Sequence, residues 1–287
     1  MFPKQKLLAI AFIVVFALSS VSVQADSDPH RFDQYLKTDW YGLYMQGAKI
    51  GYVQTVLDQV PGPIEGWRMQ MVMTMIISAA GRTDTITTTD TRLFKSPGSE
   101  LYSSKITIEG STGDIIVEGT KEADEFIVES KIGGQSLKKV FDYPVDYLDS
   151  LAYLKQYVSS GMASVGDSVT ISFFEATPPL TGLMHQKMKI ESLDQYIFNG
   201  VPTDVYFVNW IIPEMDLAGR TVIDRAGNEL EMTLGAGVLM KLENEFQAKK
   251  LDITFDILSD NLIRPKKRID DPRKLKSLKL TIAGIDI

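Results

Sequence analysis

The sequence predicts a mainly β protein: a curved antiparallel sheet of the meander or half-barrel kind, with one packed amphipathic helix and a minor second helix. Three observations carry this expectation. Apolar and polar residues alternate with period two from Trp40 onward. The alternating runs are joined by short links rich in Gly, Asn, Asp and Ser, the residues that turn an antiparallel chain back on itself. A single stretch, Asp146 to Val158, replaces the alternation with apolar steps of three and four.

Taken in order, Trp40–Met45 and Lys49–Leu57 flank Gln46-Gly47-Ala48, where Gly47 can adopt positive φ in a hairpin turn. Trp67–Ser78 and Arg82–Phe94 form the next pair around Gly81, and Ser96-Pro97-Gly98 turns the chain again. Strands follow near Tyr102–Ile108, Asp114–Glu118, Glu125–Lys131 and Gln135–Phe141, with polar links at Gly110–Gly113, Lys121–Asp124 and Gly133-Gly134. Leu148, Leu151, Leu154 and Val158 share one helical face behind Pro144, and Ser159-Ser160-Gly161 ends that helix. Alternation resumes at Ser168–Phe174. Asn199-Gly200 between His185–Phe198 and Val201–Ile212 is a strong hairpin signal. Arg220–Ile223 and Glu229–Met232 flank the turn Asp224-Arg225-Ala226-Gly227-Asn228. Gly237–Leu242 leads to a short helix near Asn244–Lys249, and Ile253–Leu258 closes the body.

The domain organisation expected is a signal peptide at 1–25, a β-rich domain at 26–262 that divides, if it divides, near 142–166, a linker at 263–274 and a strand in 275–287. Lys4 and Lys6 precede the uncharged run Leu7–Leu18, and Val23-Gln24-Ala25 supplies a small-x-small cleavage pattern. The apolar run stops at Ser19-Ser20, short of the roughly 20 residues a spanning helix needs. No integral membrane segment is expected after cleavage, and the destination expected is the bacterial periplasm. Cleavage would leave 262 residues with 28 basic and 37 acidic side chains, a net charge of −9. That balance argues against a nucleic-acid partner, which requires a basic patch. The sequence has no cysteine, which removes disulfides, thiolate metal sites and thiol nucleophiles together. Two prolines and a cluster of charges between Arg264 and Arg273 read as the linker. Leu278, Leu280 and Ile282 alternate just before Ile287, so the chain is expected to continue into a longer protein.

No residue set predicts catalysis. Histidine occurs at His30 and His185 only, and no Gly-x-Ser-x-Gly elbow accompanies either. Met184, His185 and Met188 resemble a soft-metal set but lack a second histidine, and a histidine in a polar strand start is the preferred reading. Asp84 and Asp90 share a strand face but stand about 20 Å apart at strand rise, too far to cooperate. Asp224–Glu229 lacks the ligand alternation of a calcium loop, and Gly235-Ala236-Gly237 lacks the helix of a phosphate cradle. No cofactor and no metal site is expected. Met69, Met71, Met73 and Met75 alternate along one strand and share a face, either a methionine-rich core or an adaptable wall for an apolar ligand or partner. Thr83, Thr85, Thr87, Thr89 and Thr91 line a neighbouring face that should meet solvent.

Several segments, in order, carry a family resemblance. Trp40-Tyr41-Gly42-Leu43-Tyr44 with Gly47–Tyr52, then Thr221–Asn228, Ala236-Gly237-Val238 with Glu245–Ala248, and Asp271-Pro272-Arg273-Lys274-Leu275 resemble the N-terminal region of bacterial exported transglutaminase-like proteins. In that family the activity belongs to a later papain-like domain with Cys, His and Asp. The resemblance therefore implies a non-catalytic accessory or binding module, whose partner is a following catalytic domain or a periplasmic protein. The alternative is a stand-alone periplasmic carrier of an apolar ligand, a lipid or hydrophobic peptide, with Asp146–Val158 lining or plugging its cavity.

Overall fold

The computed structural model describes residues 32–251, except 62–64, 80–81, 97–98, 112 and 178–180. The signal segment, His30, the strand expected at Ile253–Leu258, the linker and the final strand lie outside the described residues.

Among the described residues, fourteen strands form one sheet. They are β1 (Lys37–Met45), β2 (Ala48–Val60), β3 (Gly66–Ala79), β4 (Arg82–Lys95), β5 (Leu101–Glu109), β6 (Ile115–Glu122), β7 (Glu125–Ile132) and β8 (Gln135–Asp142), then β9 (Ser168–Glu175), β10 (Gly182–Phe198), β11 (Val201–Ile212), β12 (Leu217–Asp224), β13 (Glu229–Leu234) and β14 (Val238–Glu243). Their spatial order is β8-β7-β6-β5-β4-β3-β2-β1-β14-β13-β12-β11-β10-β9, and each adjacent pair is antiparallel. The sheet is curved and unclosed, with β8 and β9 as its edges. Two meanders thus meet where β1 pairs with β14, and the strands before and after residues 142–166 belong to the same sheet. The turns follow their residues: Asn199 at φ 49° and Gly200 at φ 82° make the tight β10–β11 hairpin.

The chain between the two edges forms helix α1 (Leu148–Ser159). It begins two residues later than its apolar spacing suggests, because the Asp146 carboxylate accepts from the Tyr147 and Phe174 amides and belongs to the buried loop ahead of the helix. The helix joins two apolar clusters. Its first turns bring Leu148 and Ala152 to a cluster with Trp67, Phe94, Phe126 and Phe174, while Leu154, Tyr157 and Val158 pack on a cluster with Met73, Met75, Trp210 and Met240. The short helix α2 (Glu245–Lys249) is capped by Asn244, whose side-chain oxygen accepts from the Gln247 amide.

Pairing register assigns the faces. Met71, Met73 and Met75 lie opposite Thr55, Val53 and Gly51 of β2 and opposite Asp90, Thr88 and Ile86 of β4. These three methionines are buried in the core. The odd-numbered threonines of β4 occupy the other face, with Thr83 and Thr85 exposed and Thr87, Thr89 and Thr91 half-buried, while Thr88 is buried with the methionines.

Candidate functional site

A cavity of about 120 Å³ lies between the middle of α1 and the sheet. Leu148, Ala152 and Lys155 recur at helical spacing and line it from α1. Leu57, Met69, Ile171 and Met188 form its apolar wall, and Lys37, Asp39, Tyr41, Lys155 and Glu229 its polar end.

One turn assembles that polar end. Asp224 Oδ1 accepts from the Ala226 and Asn228 amides at 2.9 and 2.7 Å, and Oδ2 accepts from Asn228 Nδ2 at 2.9 Å. Gly227 sits at φ +81°, and a Cβ there would stand 2.7 Å from the Lys155 carbonyl oxygen. The turn therefore presses on α1 where only glycine fits. Asn228 Oδ1 accepts from Lys37 Nζ at 3.1 Å, and Lys37 also pairs with Asp39 at 2.8 Å. Glu229 follows at the start of β13, where the register against β12 shifts between Val222 and Ile223. Val222 lies opposite Glu231 while Ile223 lies opposite Glu229, so Leu230 is the extra residue of a β-bulge. Strict alternation from the buried Met232 would aim Glu229 away from the interior. The bulge turns it in, beside the buried Ile223.

The electrostatics reflect this placement. Burial pushes the Glu229 carboxyl up to about 7, with Lys155 opposing and Asp39 adding to the shift. Glu229 Oε2 is buried with no hydrogen-bond partner among the described residues. Burial, helped by the adjacent Lys37 ammonium, lowers Lys155, whose Nζ lies over the Tyr35 ring at 5.4 Å from its centroid. Burial first, then Glu229 and Asp39, raise Tyr41 so that its phenol stays protonated.

A second buried polar group lies where β4, the loop before α1 and β9 meet. Arg92 Nε donates to Asp90 Oδ2 at 3.1 Å, Arg92 Nη1 donates to the Phe174 carbonyl at 3.2 Å, and Nη1 stands 3.6 Å from Asp146 Oδ2. Glu175 Oε1 accepts from the Thr177 amide at 2.5 Å. Burial raises all three carboxyls against the pull of Arg92: Asp90 upward, Asp146 to about 6 and Glu175 to about 8. The cluster ties one half of the sheet to the other beside the edges that do not pair.

Of the methionines singled out by spacing, Met69 reaches the cavity wall, while Met71, Met73 and Met75 lie behind it in the core. Met184 and Met188 are buried on one face of β10, and His185 points to the other, bonded through Nδ1 to Glu214 Oε1 at 2.7 Å. Those three side chains therefore do not converge on an ion. Among the described residues no group of three or more His, Asp or Glu could hold a metal, and no helix is long and apolar enough to cross a membrane. Sequence reasoning missed Arg92 and Glu229. Arg92 was accessible: an outward threonine stripe at odd positions forces Asp90 and Arg92 inward together. Glu229 was not, because its direction depends on a bulge.

No family model matches the chain, and no curated protein matches it. Among solved structures, the chain is similar to a β-barrel-like protein of the domain of unknown function DUF1849 from Brucella abortus, at 9% identity and a TM-score of 0.50, covering 72% of this chain and 95% of that one. A DUF1089 family protein from Pseudomonas aeruginosa aligns at 10% identity and a TM-score of 0.31, covering 61% of this chain and 87% of that one. The first likeness shows the fold class: this chain is a β-barrel-like, curved and unclosed antiparallel sheet.

Proposed function

We propose that the chain is an exported, non-catalytic binding protein, a half-open barrel that holds a small apolar ligand beneath α1. The observation that carries this reading is the cavity of about 120 Å³, walled by Leu57, Met69, Ile171 and Met188 and covered by α1. A cavity of roughly 150 Å³ with apolar walls binds benzene, so the space suits a compact molecule or one end of a longer one. An entire lipid does not fit within it. The methionines Met69 and Met188 give the wall the adaptability of unbranched thioether chains.

The reading is tested by titrating benzene or cyclopentane into protein carrying 13C-labelled methionine methyl groups. Saturable shifts at Met69 and Met188 are expected, and Met69→Trp, which fills the cavity, should abolish the shift at Met188 while preserving the spectrum of the fold. Undiminished binding by Met69→Trp, or no shifts up to the solubility limit of the probe, would contradict it. Charging Met71 or Met73 is a poor test, since both are fully buried and a carboxylate there would unfold the core.

The accessory reading has one supporting observation. The resembling segments within 40–52, 221–228 and 236–238 fall on or beside β2, β1, β14, β13 and β12, five strands adjacent in the sheet. A stoichiometric complex with an exported transglutaminase-like domain would support a module serving such a domain, and failure of any such complex to form would remove it.

A further inference from the structure

We propose that the cavity beneath α1 selects a neutral ligand, an alcohol or amide head on a short apolar body, with Glu229 accepting a hydrogen bond from that head. The inference rests on the binding-protein reading above and deepens it by naming the ligand class. Two observations carry it. First, the polar end is balanced in charge: Lys37 and Lys155 face Asp39 and Glu229. Lys37 is spoken for by Asp39 and Asn228, and no ion pair within 4.0 Å holds Lys155 among the described residues. An ammonium head would stand beside the Lys155 cation, and a carboxylate head would stand beside Glu229 and Asp39. Either would add an unbalanced charge to a space with low-dielectric walls, where such a charge is costly. A neutral head adds none.

Second, Glu229 Oε2 lies buried at the wall with no hydrogen-bond partner among the described residues. A buried carboxylate oxygen left in that state loses the hydrogen bonds water would have given. A hydroxyl or amide N–H from the ligand meets that need, and the carbonyl or hydroxyl oxygen of the same head can accept from the Lys155 ammonium or the Tyr41 phenol. The apolar body then runs from this end along Leu57, Met69, Ile171 and Met188. At about 120 Å³ the space is somewhat smaller than the roughly 150 Å³ apolar cavity that takes benzene, so it fits a body of about that size or less. The bulge that turns Glu229 inward gives the sheet no additional pairing. Its consequence is to place a carboxylate where an apolar side chain would otherwise pack.

The test compares butan-1-ol, butylammonium and butanoate at pH 8, with benzene as a probe that makes no hydrogen bond, all read by Met69 and Met188 methyl shifts. The alcohol is expected to bind about tenfold more tightly than either ion, because each ion brings an unbalanced charge into a space with low-dielectric walls. Glu229→Leu should weaken the alcohol about tenfold and leave benzene within about twofold, while Glu229→Gln, which keeps an acceptor oxygen, should retain the alcohol within about threefold. If benzene binds but the amine or the acid equals or exceeds the alcohol, or if Glu229→Leu leaves the alcohol unchanged in a folded protein, the neutral-ligand inference is overturned and the binding reading survives. If benzene does not bind either, the binding reading itself fails.

Discussion

The molecule buries charge in two places and handles it in two ways. Around Arg92, one guanidinium faces three carboxyls; four of their six oxygens are met by backbone amides or by the arginine itself, while Asp90 Oδ1 and Glu175 Oε2 have no hydrogen-bond partner among the described residues. The group spans β4, the loop before α1 and β9. Around Glu229, two ammoniums and two carboxyls border a void, and one oxygen has no partner among the described residues. A cluster built round one arginine that bonds across elements is a fastening, since its members specify one another's positions. A cluster that borders a cavity has room and chemistry for something else. The same sheet supplies both, so their difference lies in what packs over them: the loop before α1 covers Arg92, and the side-chain stripe of α1 only partly fills the space above Glu229.

Removing the fastening should produce the largest effect. Arg92→Leu strands Asp90, Asp146 and Glu175 without a cation, and breaking a buried ion pair from one side costs about 3–5 kcal/mol. Urea unfolding at pH 7 measures this. A loss below about 1 kcal/mol would mean that the carboxyls rehydrate and that the cluster does not join the two halves.

The next effect is one of pH. The Glu175 carboxyl rises from its ordinary 4.5 to about 8 in the folded chain. Between those values the folded state keeps a proton that the unfolded state has lost, so this group's contribution is fully present below about 4.5 and lost as pH rises through about 8. The total is on the order of a few kcal/mol. Glu175→Gln should flatten the fall of stability over that window, so that the variant gains on the parent chain as pH rises. Parallel pH profiles for the two proteins would show that Glu175 is hydrated.

The smallest effect belongs to the cavity. Lys155→Met removes a half-buried ammonium that pairs with no carboxylate within 4.0 Å among the described residues, and should alter unfolding free energy by less than about 1 kcal/mol. It should also move Glu229 upward from about 7, because Lys155 is the stronger of the two cations, ahead of Lys37, that oppose the burial shift. Carboxyl 13C titration reads that change. A large destabilisation with Glu229 unmoved would make Lys155 a structural residue and blur the contrast between the two sites.

Much of the fold was legible because strand alternation and turn chemistry are local. Asn199-Gly200, Gly133-Gly134 and the Asp224–Asn228 turn each mark a hairpin in the few residues that form it. The spacing of Leu148, Leu154 and Val158 likewise located the one substantial helix. Strand order was not local: β1 pairs with β14 across almost the whole described chain, and no residue pattern announces that contact. The site divides in the same way. Met69 could be assigned to a face by counting in twos, and so could Arg92. Glu229 could not, since one bulged residue reverses the count and the bulge is set by packing between β12 and β13. Whether a methionine of a stripe meets core or cavity was equally hidden, because it depends on where α1 lies over β3.

The most direct measurement is xenon pressurisation of crystals of the protein. A single strong xenon peak is expected among Leu57, Met69, Ile171 and Met188, with the polar end near Glu229 unoccupied by the gas. Ordered waters filling the whole cavity, with no xenon against those four side chains, would contradict the claim that it is an apolar binding site.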